Sequence, residues 1–124
     1  MFKQVLQDAV RRAEGCLGAL IMGTDGIVVE KVWQAAAGAP AEMNPDVAAA
    51  EFASLIKNAH RAGGEMNLGR LREMTFAGEG GIFILRLVSE DYFIAAVLAP
   101  EGNFGRARYE LRRAELLLEK ELAA

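Results

Sequence analysis

The residues able to do chemistry are few, and none has the company that chemistry needs. His60 is the sole histidine and Cys16 the sole cysteine. A transition-metal site takes several ligands at matched spacing, which these two cannot supply. Cys16 opens an apolar run, where a free thiol serves as a small hydrophobe, and His60 falls on the polar side of a helical segment. Asp25, in Gly23-Thr24-Asp25-Gly26, has no second carboxylate placed beside it. It suits hydrogen bonding to its own turn. Gly78-Glu79-Gly80-Gly81 is glycine-rich but lacks the Lys and Ser/Thr of a phosphate loop, and a strand follows instead of a helix. It reads as a hairpin turn. Arg106, Glu110 and Arg113 share one stripe of the last helix, and Arg108 with Arg112 another. Such charges form a solvated face with weak ion pairs; an arginine finger for a nucleotide hydrolase is the sharper alternative. With no nucleophile and base, no paired carboxylates and no ligand cluster, the chain is expected not to be an enzyme and to need no cofactor or metal.

The remaining function classes narrow by composition. A length of 124 residues suits one domain spanning 1–124. Such a chain buries roughly two-thirds of its unfolded surface, so its core needs no disulfide. Hydrophobic residues make up 52% and charged residues 25%, which places it among globular proteins. A net charge of −3 argues against a nucleic-acid partner, since neutralising phosphates takes a basic surface. No segment reaches the ~20 apolar residues of a membrane span, and the N-terminus lacks the apolar stretch of a signal peptide. A cytoplasmic protein without membrane insertion is expected.

The elements that must position these residues follow from periodicity. Phe2 to Glu14 places Phe2, Val5, Leu6, Ala9, Val10 and Ala13 on one helical face, and Gly15 is suited to close the helix. Cys16 to Met22 is apolar on both alternating faces, as in a strand covered above and below. After the turn at 23–26, Ile27 to Trp33 completes an antiparallel hairpin. Gln34 to Met43 reads as an alanine-rich loop. Asn44-Pro45 opens a second helix, with Asn capping and Pro at the first helical position. Ala48, Phe52, Leu55, Ile56 and Ala59 form its core stripe, and the helix ends near Gly63-Gly64. Glu65 to Phe76 reads as a charged edge strand. Ile82 to Val88 and Tyr92 to Leu98 are two further apolar strands. Pro100-Glu101-Gly102 breaks the chain before a final helix, Phe104 to Leu122, with Leu111, Ala114, Leu117, Leu118 and Leu122 inward. The strands around Leu20 and Ala96 are expected at the centre of the sheet, with helices on both faces.

This order, with the Gly-Thr-Asp-Gly turn, the alanine-rich second helix, Leu68-Gly69-Arg70-Leu71-Arg72-Glu73-Met74, the meander, and Gly102-Asn103-Phe104-Gly105-Arg106-Ala107-Arg108 opening the last helix, resembles the roadblock/dynein-light-chain family, in particular its bacterial MglB-like branch. The resemblance runs nearly end to end. It implies an α+β fold: a five-stranded antiparallel sheet with one helix on one face and two on the other. It further implies pairing through the third strand and second helix, as a homodimer or with a relative, and binding to a small Ras-like GTPase. MglB-like members stimulate such a partner by reshaping its own active site, without an arginine finger.

Two candidate dimer contacts go with that reading. One is the second face of the alanine-rich helix, with Ala49, Ala53, Lys57 and His60 along it and Ala50 and Ser54 alongside. Small side chains there let two helices approach closely. The other is the edge strand with Asn67, Arg70 and Arg72, since an unpaired edge is a template for a second strand. Two other functions compete: a structural subunit of a larger complex without a GTPase, and a small-ligand sensor, for which the interior strands supply no polar groups.

Overall fold

A computed structural model describes residues 2–34 and 44–123. The alanine-rich loop expected after Gln34 lies outside the described residues. The elements run α1 (Phe2–Arg12), β1 (Cys16–Gly23), β2 (Val28–Trp33), α2 (Pro45–Glu65), β3 (Glu73–Gly78), β4 (Gly81–Leu87), β5 (Tyr92–Leu98) and α3 (Phe104–Ala123). The five strands form one sheet in the order β2-β1-β5-β4-β3, and every neighbouring pair is antiparallel. The strands bearing Leu20 and Ala96 are therefore inner ones, as their two-sided apolarity demands.

The period-2 alternation of the inner strands divides the interior into two cores. Cys16, Ala19, Ile21, Ile84, Ile94, Ala96 and Leu98 face α1 and α3. Leu17, Leu20, Met22, Leu85, Phe93, Ala95 and Val97 face α2. Helices α1 and α3 pack against each other on their side of the sheet, while α2 lies alone on the other, nearest β2. Full burial of a Leu, Ile or Phe side chain contributes roughly 1.5–3 kcal/mol. Phe93, Leu20, Ile21, Ile94 and Leu98 are all sealed from solvent, which is why both faces must be covered.

Local chemistry sets the element ends. The Asn44 side chain accepts a hydrogen bond from the Asp46 backbone N–H at 2.9 Å, the expected N-cap of α2. Asn103 caps α3 likewise, accepting from Arg106 N–H at 3.0 Å. Ile27 N–H donates to the Asp25 carboxylate at 3.0 Å, so Asp25 shapes its turn as its position suggested. Gly15 closes α1 at φ +83, and a Cβ there would collide with the backbone of Gly102. In that tight junction Ala99 N–H donates to Gly15 O and Asn103 N–H to Glu14 O, binding the α1–β1 corner to the β5–α3 corner.

Some boundaries and faces differ from expectation. Helix α2 continues through Gly63 and Gly64 to Glu65. Glycine in a helix costs about 1 kcal/mol but does not forbid it. The stop is Asn67, left-handed at φ 60, with Leu68 N–H bonded to Gly63 O and Asn67 N–H to Gly64 O, a Schellman closure. Residues 66–72 are consequently a connector, and β3 begins only at Glu73. Leu55 and Leu117 point outward, whereas Ala49 turns inward.

Candidate partner-binding surface

Helix α2 covers its side of the sheet unevenly. Ala49, Phe52 and Ile56 press into the core beneath it, with Ala48 and Ala53 partly buried. Because α2 sits toward β2, the β3–β4 half of that face keeps only partial cover. Met74, Phe83 and Leu87 are half-buried there, and Phe76, on β3, remains 56% exposed. Phe83 ties this patch to the helix: its ring lies 4.8 Å from Phe52 and stacks on Phe76 at 5.2 Å, the two planes 7° apart. Phe76 and Phe83 are cross-strand partners in the β3–β4 register, and their stacking orients Phe76 along the sheet edge. Among the described residues, no strand lies beside the outer side of β3.

The residues singled out from the sequence separate into three groups. Ala50, Ser54 and Lys57 are exposed on the outer face of α2, with Ala53 half-buried at its margin. Ala49 is 0% exposed. Its position carries it round to the sheet side with Ile56, so it belongs to the core and not to an outward contact. Asn67, Arg70 and Arg72 are exposed but lie on the connector, so they form no strand edge. His60 is exposed near the end of α2, and its Nδ1 accepts the Leu71 N–H at 3.4 Å, tying the connector back to the helix. The edge residue that sequence reasoning missed is Phe76. Placing the strand at Glu65–Phe76 hid it as a terminal residue, though Phe76 and Phe83 flank Gly78–Gly81 symmetrically, which a hairpin register would have paired.

On the opposite face, charged groups join α3 to the outer strands. Arg86 of β4 reaches Glu73 of β3 at 3.1 Å and also Glu115 of α3, and Arg108 of α3 pairs with Glu73 at 2.6 Å. Burial acts to lower the Arg86 pKa, but hydrogen bonds and charge from Glu115 and Glu73 outweigh it and hold the value above the ordinary one. The network thus pins α3 to the outer strands. It borders an open groove shared with the connector, where Arg70 pairs with Glu90 at 3.1 Å. Glu110, expected on a solvated stripe, is instead 3% exposed, between α1 and α3. A crevice of about 40 Å³ beside it has room for a few waters at most. Cys16 is buried, and desolvation, partly offset by its bond to Gly18 O, pushes its thiol up to about 11. Among the described residues no group of three His, Cys, Asp or Glu is placed to hold a metal ion, and no helix is long and apolar enough to cross a membrane.

The sequence model of the Roadblock/LC7 domain family matches residues 2–99. The chain belongs to this family. Among solved structures, MglC from Myxococcus xanthus is 32% identical over 97% of this chain and 98% of its own, with a TM-score of 0.68. A roadblock domain from Streptomyces avermitilis shares 16% identity over 98% of both chains, at 0.85. The gliding protein MglB from Thermus thermophilus shares 19% over 96% of this chain and 86% of its own, also at 0.85. The latter two speak for the fold alone. No functionally curated protein matches the chain at a significant level.

Proposed function

We propose that this roadblock domain is a non-catalytic adaptor that pairs with a second copy of itself through α2 and β3 and binds a small Ras-like GTPase. The observation that carries the pairing is the apolar patch of Phe76, Phe83 and Met74 beside an unpaired β3 edge. Two β3 edges brought together about a twofold axis would extend the sheet, and each α2, with Ala50, Ala53, Ser54 and Lys57 outward, would meet the other molecule. Charged groups on the connector, Arg70 and Arg72, lie at the margin of that contact with Asn67. The GTPase partner rests on family membership, and stimulation of its GTP hydrolysis is the further step that the MglB-like resemblance suggests.

Light scattering on the purified chain, alone and then with a Ras-like GTPase loaded with GDP or a GTP analogue, tests both parts. The reading expects the mass of two chains alone and added mass only with the GTP analogue. A dimer indifferent to both nucleotide states would leave a structural scaffold as the function. A monomer would remove the pairing.

A further inference from the structure

The outer pole of α3 carries Arg106, Tyr109, Arg113, Leu116 and Lys120, spaced three, four, three and four residues apart. That alternation forms a single straight seam along a helix, the spacing that receives another helix. Tyr109 and Leu116 are 58% and 57% exposed, so the seam presents two large side chains to solvent. The seam lies on the side of the sheet opposite α2 and points away from the sheet.

Its basic members are held in an unusual way. Arg106 stands 2.9 Å from the Glu110 carboxylate, Arg113 3.8 Å and Arg12 of α1 3.9 Å. Among the described residues, none of the three is within ion-pair distance of any other carboxylate. Three positive charges therefore meet one negative charge, a surplus of two in a chain whose overall charge is −3. The pairing is also incomplete: Glu110 Oε2 is buried and, although the Arg106 guanidinium stands 2.9 Å away, it has no hydrogen-bond partner among the described residues. The side chains of Arg106 and Arg113 are each 47% exposed. Each guanidinium has five N–H donors in a fixed fork suited to carboxylates. Glu110 thus gathers the arginines while about half of the Arg106 and Arg113 side chains stays open to solvent. Arg106 also lies 5.3 Å over the Tyr109 ring, which fixes it within the seam.

We infer that the outer face of α3 is a second docking surface, and that its occupant is an acidic amphipathic helix of a partner protein, with carboxylates set over Arg106, Arg113 and Arg12 and apolar residues against Tyr109 and Leu116. The charge surplus selects an acidic partner and the three–four spacing selects a helix. This inference is independent of the proposed pairing, which uses α2 and the β3 edge.

An NMR titration of the full isotope-labelled chain provides the test. The probe is a helical peptide of about 18 residues with Leu and Glu alternating along one three–four seam. The counterpart has Lys for every Glu. The Glu peptide is expected to shift resonances between Arg106 and Lys120, and the Lys peptide to leave them in place. Raising salt from about 50 to about 500 mM should weaken the Glu peptide's binding, since exposed charge pairs are screened. The double substitution Arg113→Gln with Leu116→Ala, which leaves Arg106 on Glu110, should weaken it about tenfold or more while circular dichroism stays that of the parent. Equal response to both peptides, shifts confined elsewhere, or undiminished binding by the double variant would overturn the inference. So would binding of the chain to phosphatidylglycerol vesicles with no response to the Glu peptide, because the surface would then serve a membrane.

Discussion

Replacing Phe76 with alanine probes the proposed pairing most directly. A Phe side chain presents on the order of 200 Å². With Phe76 56% exposed, about 110 Å² of it is left for a second molecule to cover, worth about 3 kcal/mol at about 25 cal/mol per Å². Alanine retains part of this contact, so the loss is about 2 kcal/mol per protomer, and a twofold interface contains the contact twice. The full loss of about 4 kcal/mol corresponds to a dimer dissociation constant raised about a thousandfold. Interfaces return less than area alone suggests, and half that energy still gives about thirtyfold. Sedimentation or light scattering across a dilution series measures this shift. The fold must be checked separately, because the variant also loses the stack on Phe83, worth about 1 kcal/mol. A melting curve lowered by a few degrees, together with intact far-ultraviolet circular dichroism, would establish that the monomer survives. If the variant then dimerises with a constant within about fivefold of the parent's, a difference of about 1 kcal/mol, β3 is not where the chains meet.

Other substitutions address the fold that holds these surfaces. Gly18 lies opposite Trp33 in the β1–β2 register, and a Cβ there would overlap the indole ring. Gly18→Ala should cost about 2 kcal/mol, lowering Tm by about 8 °C in a chain of this size. Combining it with Trp33→Val should restore part of the loss, and strict additivity would show that the ring is not the obstacle. Arg86→Ala leaves Glu115 without its partner and Glu73 with Arg108 alone, and should cost about 2–4 kcal/mol in urea unfolding; a loss below about 0.5 kcal/mol would mean that the network is slack. Cys16 should resist maleimide at neutral pH until the chain unfolds. Its folded pKa of about 11 exceeds its ordinary 9.0, so between those values the unfolded state sheds a proton that the folded state keeps. Its contribution to stability is complete below about pH 9 and is lost as pH rises toward about 11. Cys16→Ala should flatten that part of the stability curve.

Legibility in the sequence followed physical specificity. Strands β1 and β5 were readable because a run apolar on both faces can only be an inner strand between two layers, and Asn44 was readable because its capping chemistry is local. Gly63-Gly64 marked the end of α2 to within one residue, but the stop that operates, Asn67 at positive φ, depends on a backbone conformation that composition does not reveal. Reading residues 66–72 as strand instead of connector displaced β3 and with it Phe76. Ala49 and Leu55 exchanged faces because an alanine-rich helix has little hydrophobic contrast to fix its rotation; the position of α2 toward β2 settles it. Glu110 was legible as a member of an ionic stripe but not as a buried one, since its burial depends on α1 crossing α3.

The middle of the sheet belongs to its last strand. β1 hydrogen-bonds to β2 on one side and must find β5 on the other, pairing Cys16 with Leu98 and Ile21 with Ile94. Most of the chain lies between those partners. The opening hairpin therefore has a bare inner edge until β5 inserts, and β4 likewise gains its inner neighbour only then. Folding is governed by long-range closure, with the slow rates typical of non-local strand pairing. A sheet still lacking β5 would expose two apolar edges, each able to accept a strand from another molecule. A second copy is thus a hazard to the unfinished sheet at β1 and β4 before it is a proposed partner to the finished one at β3, and slowing β5 should divert molecules from native assembly into aggregation.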